Sequence, residues 1–204
     1  MYKFPIIVFE GIEGSGKSFH IKNIKKHLKK NNIKFISLRE PGGSTNAEKI
    51  RKLILNKNSK FSNLTDLFLY MAARNENFHN ILNKHYKKKV ILIDRFTDST
   101  LAYQHYGMGI NKKLIIQLNK IILKNIKPTI TFLNTVSMKN LQSRINKRTK
   151  NRYDKFNNKF YKKVQNGFIK LSKNKRSYIK IDSNLNISKN KKTIIKKINS
   201  LLSI

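Results

Sequence analysis

Hydrophobic positions along this chain switch between two periods. Five short runs are almost continuously apolar: "FPIIVFE" (4–10), "IKFISL" (33–38), "KVILID" (89–94), "TITFLN" (129–134) and "SYIKI" (177–181). Between them, apolar residues recur at three- and four-residue spacing. Ile21, Ile24 and Leu28 share one face of 17–30, while Leu64, Leu67, Phe68, Met71, Phe78 and Leu82 mark 64–83. Similar patterns cover 112–126, 137–147, 154–173 and 190–202. Continuous apolar runs suit strands buried on both faces, and the 3.6-residue period suits helices laid over them. Their alternation predicts an α/β fold with a five-stranded, mostly parallel sheet flanked by helices. No linker, repeat or boundary interrupts the pattern, so residues 1–204 read as one domain. The most polar stretch, "SRINKRTKNRYDK" (143–155), is predicted to be a surface loop.

Composition narrows the class. The chain has 204 residues, 39% of them hydrophobic, which is enough for one good core. It has no cysteine, which excludes disulfides and thiolate metal sites and is consistent with a reducing, cytoplasmic setting. The opening apolar run is too short for a secretory h-region or a membrane span. Lys and Arg number 45 against 10 Asp and Glu, a net charge of +35. These are mostly lysines scattered among asparagines and isoleucines, as A/T-rich codon usage produces, rather than a compact arginine-rich block. A general attraction for polyanions follows; a specific nucleic-acid partner does not.

Two motifs carry chemistry. "GIEGSGKS" (11–18) matches G-x-x-x-x-G-K-[ST] between a predicted strand and an amphipathic helix. Gly11, Ile12, Glu13, Gly14, Ser15 and Gly16 are expected to turn backbone N–H groups around phosphates. Lys17 is expected to reach the β- and γ-phosphates of ATP, and Ser18 to ligate Mg²⁺. "VILIDR" (90–95) is a buried strand ending in Asp94 and Arg95. In a parallel sheet those residues emerge beside the phosphate loop. Asp94 would hold Mg²⁺ through its water shell or polarise the acceptor, and Arg95 would bridge donor and acceptor phosphates, stabilising charge on the transferring group. The five histidines show no metal-binding spacing, and no Ser/His/Asp triad motif is present.

"DRFTDSTLAYQ" (94–104), with "REPGGS" (39–44) and "YMAAR" (70–74), resembles the bacterial thymidylate kinases. That family carries DR[YH]-x-x-S-[ST]-x-A-Y-Q, T-R-E-P-G-G-T and an aromatic followed four residues later by arginine. The order and spacing agree over nearly the whole chain. The resemblance implies a P-loop kinase fold and transfer of the γ-phosphoryl group of ATP to dTMP, forming dTDP for dTTP synthesis. It further implies a homodimer joined through the long middle helices. It places dTMP at Tyr70, which would stack on thymine, and at Arg74, which would donate to its O4. Thr100 and Gln104 would reach the other polar edge of the base, and Tyr103 would lie against the deoxyribose. Arg51 and Arg95 would grip the 5′-phosphate, Glu40 would shape the wall, and Ser99 would support the same turn. The acceptor-binding region spans about 39–75 and the lid about 143–155.

The phosphate loop has no arginine between Gly11 and Lys17, and Glu13 stands where the family's second type carries an acid. In that type a closing lid supplies the arginine. Arg152 in "NRYD" aligns with the lid motif, and Arg148 is a second candidate. Five positions depart from the family pattern. Phe96 replaces Tyr or His after "DR", "PTITFLNTV" lacks both aspartates of "PDLTFLLDV", Phe19 replaces a threonine, and Ser44 ends "PGGS".

Two other functions use the same residues. A P-loop deoxynucleoside kinase must deprotonate a hydroxyl, and Glu40 is the best-placed base for it. A nucleic-acid-stimulated NTPase would suit the charge, but the sequence lacks an aromatic–basic binding module.

Overall fold

Ile, Phe and Leu dominate the apolar runs, and each run forms a strand in this computed structural model, which describes residues 4–124, 126–146 and 152–204. The strands are β1 (Ile6–Glu10), β2 (Phe35–Arg39), β3 (Val90–Asp94), β4 (Ile130–Thr135) and β5 (Tyr178–Asp182). They form one sheet in the order β2-β3-β1-β4-β5, and all four pairings are parallel. The central β1 is buried along its whole length, whereas the edge strands β2 and β5 are half-exposed.

Alternation along each strand sends its side chains to two helical layers. Ile7 and Phe9 face α1 (Lys17–Lys30) and α9 (Ile187–Leu202), in a core with Ile24, Leu28, Phe132 and Ile194. Ile6 and Val8 face the other layer, packing with Ile91, Ile93, Phe78 and Leu123. That layer contains α3 (Asn63–Asn77), which continues through the π-helical turn Phe78–Leu82 into α4 (Asn83–His85), and α6 (Lys112–Leu123). Further along are α7 (Met138–Ile145), a 3₁₀ turn at Arg152–Lys155 and α8 (Asn158–Ser172).

Two helices lie where hydrophobic spacing predicts none. In α2 (Thr45–Leu55) only Ala47 and Ile54 are buried, and the Ser44 hydroxyl caps its start by accepting from the Ala47 N–H. The segment after β3 forms α5 (Thr97–Thr100) and then a π-helix over Leu101–Gly107. Among the described residues, no helix is long and apolar enough to cross a membrane.

The register brings the chemistry to one edge. Phe9 pairs with Asp94, and Asp94 pairs with Arg39. The carboxyl ends of β1, β2 and β3 therefore deliver "GIEGSGKS", "EPGGS" and "DR" to the same rim of the sheet.

Candidate active site

The phosphate loop leaves β1 through glycines that the backbone demands. Gly11 has φ +135°, and a Cβ there would lie 2.2 Å from the Asn134 carbonyl oxygen. Gly16, at φ +86°, stands immediately before α1 and turns the chain into it. The Lys17 ammonium donates to the carbonyls of Gly11 and Ile12, both at 2.9 Å. Burial, and then the neighbouring Arg95, lower its pKa to about 8. Ser15 is fully buried, and its carbonyl accepts from the Ser183 hydroxyl at 2.6 Å. Arg144 donates to the carbonyls of Gly14 and Ser183, both at 2.8 Å, and so ties the loop to the end of β5.

Arg95 has φ +67°, the left-handed region that few non-glycine residues occupy. Its guanidinium pairs with Glu13 at 2.8 Å, donates to the Gly11 carbonyl at 2.9 Å and lies over the Tyr103 ring. Burial alone would lower the Arg95 pKa, but Glu13, Tyr103 and Asp94 outweigh it and hold the guanidinium charged. Burial likewise opposes ionisation of Glu13, yet Arg95 and Lys17 keep its carboxyl below the usual range. The Tyr103 hydroxyl donates to the other Glu13 oxygen, and burial pushes its own pKa well up.

A cleft of about 200 Å³ opens at this rim. Glu13, Gly14, Lys17 and Ser18 line it from the donor side. Glu40, Arg51, Tyr70, Arg74, Ser99, Thr100, Tyr103 and Gln104 line it from the acceptor side, with Asp94 and Arg95 between. Four buried side-chain atoms of this lining have no protein hydrogen-bond partner: Glu40 Oε1, Asp94 Oδ1, Thr100 Oγ1 and Gln104 Nε2. Buried polar atoms are ordinarily paired, so this concentration marks a surface shaped for a polar ligand.

Arg74 is 2% exposed and already engaged. It pairs with Glu40 at 2.7 Å and donates to Asn119 Oδ1 at 2.6 Å and to the Phe96 carbonyl at 3.1 Å. Burial raises the Glu40 pKa against the pull of Arg74. Arg51 donates to the Pro41 carbonyl at 2.6 Å. Tyr70 is half-buried, and its ring meets that of Tyr153 edge-on at 6.2 Å.

Of the two predicted lid arginines, Arg148 lies outside the described residues. Arg152 does not line the cleft; it pairs with Asp66 on α3 and lies over the Phe61 ring. Its neighbour Tyr153 faces the cleft instead, with its hydroxyl donating to Asp66. The backbone of Gly11, Ile12, Ser15 and Gly16 builds the loop without appearing in the cleft wall.

Sequence reasoning missed several supports. Glu10 accepts from the Phe96 N–H at 2.8 Å, the Ser99 N–H at 3.2 Å and the Ser99 hydroxyl at 2.5 Å. An acid ending a wholly apolar strand, in a chain with ten acids, is the signal that could have found it. Asn77 accepts from the Ser44 N–H at 2.9 Å and donates to the Gly42 carbonyl at 2.6 Å, pinning the "PGGS" turn. Asp66, Asn119 and Arg144 show their roles only through long-range contacts.

Among the described residues, no group of three or more His, Cys, Asp or Glu is arranged to hold a metal. A hard cation held mainly by phosphates needs only one or two protein oxygens. The unpartnered Asp94 Oδ1 and the exposed Ser18, both on the cleft, fit that requirement.

Residues 9–194 match the family described as thymidylate kinase. The thymidylate kinase of Mycoplasma capricolum subsp. capricolum is 39% identical over 187 residues, covering 89% of this chain and 88% of the relative. That of Clostridium novyi is 40% identical over 177 residues, covering 84% and 86%. The crystal structure of thymidylate kinase from Ehrlichia chaffeensis superposes with a TM-score of 0.78 at 32% identity, covering 96% of this chain and 98% of that one.

Proposed function

The chain belongs to the thymidylate kinase family and transfers the γ-phosphoryl group of ATP to dTMP, and we propose how the cleft residues divide that work. The observation that carries the proposal is the single cleft joining the phosphate loop to the acceptor motifs, with four unpartnered buried polar atoms on its wall.

The loop from Gly11 to Ser18 cradles the ATP phosphates, with Lys17 on the β- and γ-oxygens. Bound Mg²⁺, held by Ser18 and Asp94, would neutralise charge on those oxygens. Tyr70 supplies a flat apolar face for thymine, and Thr100 and Gln104 present unpartnered polar atoms to the base edge. Arg74 frames the pocket beside Glu40 and offers remaining N–H donors to the base. Tyr103 packs against the deoxyribose. Arg51 and Arg95 hold the dTMP phosphate, whose oxygen attacks the γ-phosphorus in line as the bond from that phosphorus to the β,γ-bridging oxygen breaks and ADP leaves. That oxygen is already ionised near neutral pH, so no protein base is required. Arg95 then spans donor and acceptor, exchanging its bond to Glu13 for phosphate oxygens.

Of the expected lid, 143–155, residues 147–151 lie outside the described residues. Arg148 and Arg152 remain the candidates for the arginine that the loop itself lacks. Arg152 reaches the phosphates only by leaving Asp66. The whole chain acts as one nucleoside monophosphate kinase domain in the cytoplasm. It forms a homodimer through α3 and α6, where Leu64, Phe68 and Ile116 are exposed.

The deoxynucleoside-kinase alternative needs Glu40 as a base, and one Glu40 oxygen is committed to Arg74. A coupled ADP-release assay across dTMP, dUMP, dCMP, dAMP, dGMP and thymidine tests the reading. The highest kcat/KM is expected with dTMP. Silence with dTMP beside clear turnover of another acceptor sinks the substrate assignment.

A further inference from the structure

We infer that Glu10 is a positioning residue: its carboxylate caps the helix bearing the acceptor-facing side chains and fixes that helix, with Arg95, against the phosphate loop. This rests on the dTMP kinase reading given above.

A helix start leaves backbone N–H groups without partners, and the usual remedy is a side-chain oxygen at the N-cap accepting from the third helical residue. At α5 the N-cap is Phe96, which has no such oxygen, and no side chain of the helix itself caps it. Glu10, on another strand and 86 residues earlier in the chain, performs the task. One of its oxygens accepts from the N–H groups of Phe96 and Ser99, the N-cap and third helical residues. Its other oxygen accepts from the Ser99 hydroxyl at 2.5 Å. The side chain is 1% exposed, so these bonds meet no competition from water.

The capped helix runs on to Thr100, Tyr103 and Gln104, three residues of the acceptor wall. On its other side, Glu10 is bonded in sequence to Gly11, whose carbonyl accepts from Arg95. Glu10 therefore links the donor loop and the acceptor helix through one rigid side chain. Arg95 sits between two fixed points. A left-handed backbone at a residue of this size persists only where its surroundings enforce it. Bonds to the amides one and four residues later supply that enforcement. Phosphoryl transfer depends on the alignment of donor and acceptor, and misplacement by about 1 Å can cost 10²-fold in rate. A residue that sets the spacing acts on the rate without touching either substrate.

Three substitutions separate reach from charge. Glu10→Gln keeps the length and one oxygen acceptor for both amides. Glu10→Asp keeps the charge but is one methylene too short to reach them. Glu10→Ala removes both. Steady-state kinetics with dTMP and ATP, with the ATP dissociation constant measured by equilibrium titration, is the experiment. It is run at a temperature where circular dichroism shows each variant folded.

The expected order is Gln within about threefold of wild-type kcat, and Asp and Ala lower by about tenfold or more. In the Asp and Ala variants the dTMP KM rises, while the ATP dissociation constant stays within about twofold. Glu10→Asp near wild type with Glu10→Gln strongly impaired would mean that charge, not reach, matters, and would overturn the inference. So would an Asp variant with unchanged kcat and KM and only a lowered melting temperature. If Ala does not fold, the Gln-against-Asp order still decides. A wild-type enzyme inactive with dTMP refutes the substrate reading instead.

Discussion

Glu10 is held where its charge is unwelcome. Burial and the nearby Asp98 raise its pKa to about 7, against the lowering pull of Ser99, the Phe96 N–H and Arg95. The folded state therefore binds the Glu10 proton more tightly than the unfolded chain, whose value is near 4.5. The stability contribution is fully present below 4.5 and is lost as pH rises through 7. The shift is on the order of 3 kcal/mol at pH 8. Glu10→Gln, which mimics the protonated form, is expected to melt with wild type at pH 5 and above it by several degrees at pH 8. Thermal melts of both proteins across that range check this. A constant offset between the curves would show that Glu10 does not titrate in this window. Arg152 teaches a complementary lesson: "NRYD" points to a lid arginine, but its partner Asp66 is 86 residues away. No local pattern encodes that pairing.

Elements were legible in proportion to how apolar they are. All five strands lie within a residue or two of their apolar runs, and α1 matches 17–30 at both ends. The two missed helices, α2 and the α5–π segment, set their buried apolar side chains (Ala47 and Ile54; Leu101, Ala102 and Tyr103) among polar residues that line the cleft, such as Arg51, Thr100 and Gln104. Polar residues facing a ligand break the 3.6-residue pattern, so the site itself hides the elements that carry it. The motif residues share one rim because the register gathers the ends of β1, β2 and β3 there. Supports such as Asn77 stayed invisible, since an asparagine on a helix carries no local signal. Asn77 is fully buried, and Asn77→Ala would leave the Ser44 N–H and the Gly42 carbonyl without partners. A loss of about 2–3 kcal/mol in urea unfolding is expected, together with a raised dTMP KM, because the "PGGS" turn carries the Glu40 and Arg51 wall. A loss of stability with unchanged dTMP KM would separate that turn from acceptor binding.

At the scale of the whole molecule, charge and exposed apolar surface oppose each other. Leu64 and Phe68 stand one helical turn apart on α3, at 45% and 50% exposure, and Ile116 on the adjoining α6 is 46% exposed. These side chains are already about half buried, so covering the rest against a second copy is favourable by roughly 1 kcal/mol each, about half the value for a fully exposed side chain. Bringing together two chains of net charge +35 is unfavourable, and salt weakens that repulsion with a screening length of about 10 Å at 0.1 M. The dimer proposed here should therefore tighten as salt rises, opposite to the behaviour of an interface held by surface ion pairs. Sedimentation velocity at 0.05 to 0.5 M NaCl is expected to show a species of twice the 24.0 kDa chain mass that gains population with salt. Phe68→Glu should remain at the chain mass throughout, because it buries a charge in the apolar contact. Dimerisation that weakens with salt would assign the interface to polar contacts elsewhere. A Phe68→Glu variant that still dimerises would remove α3 from it.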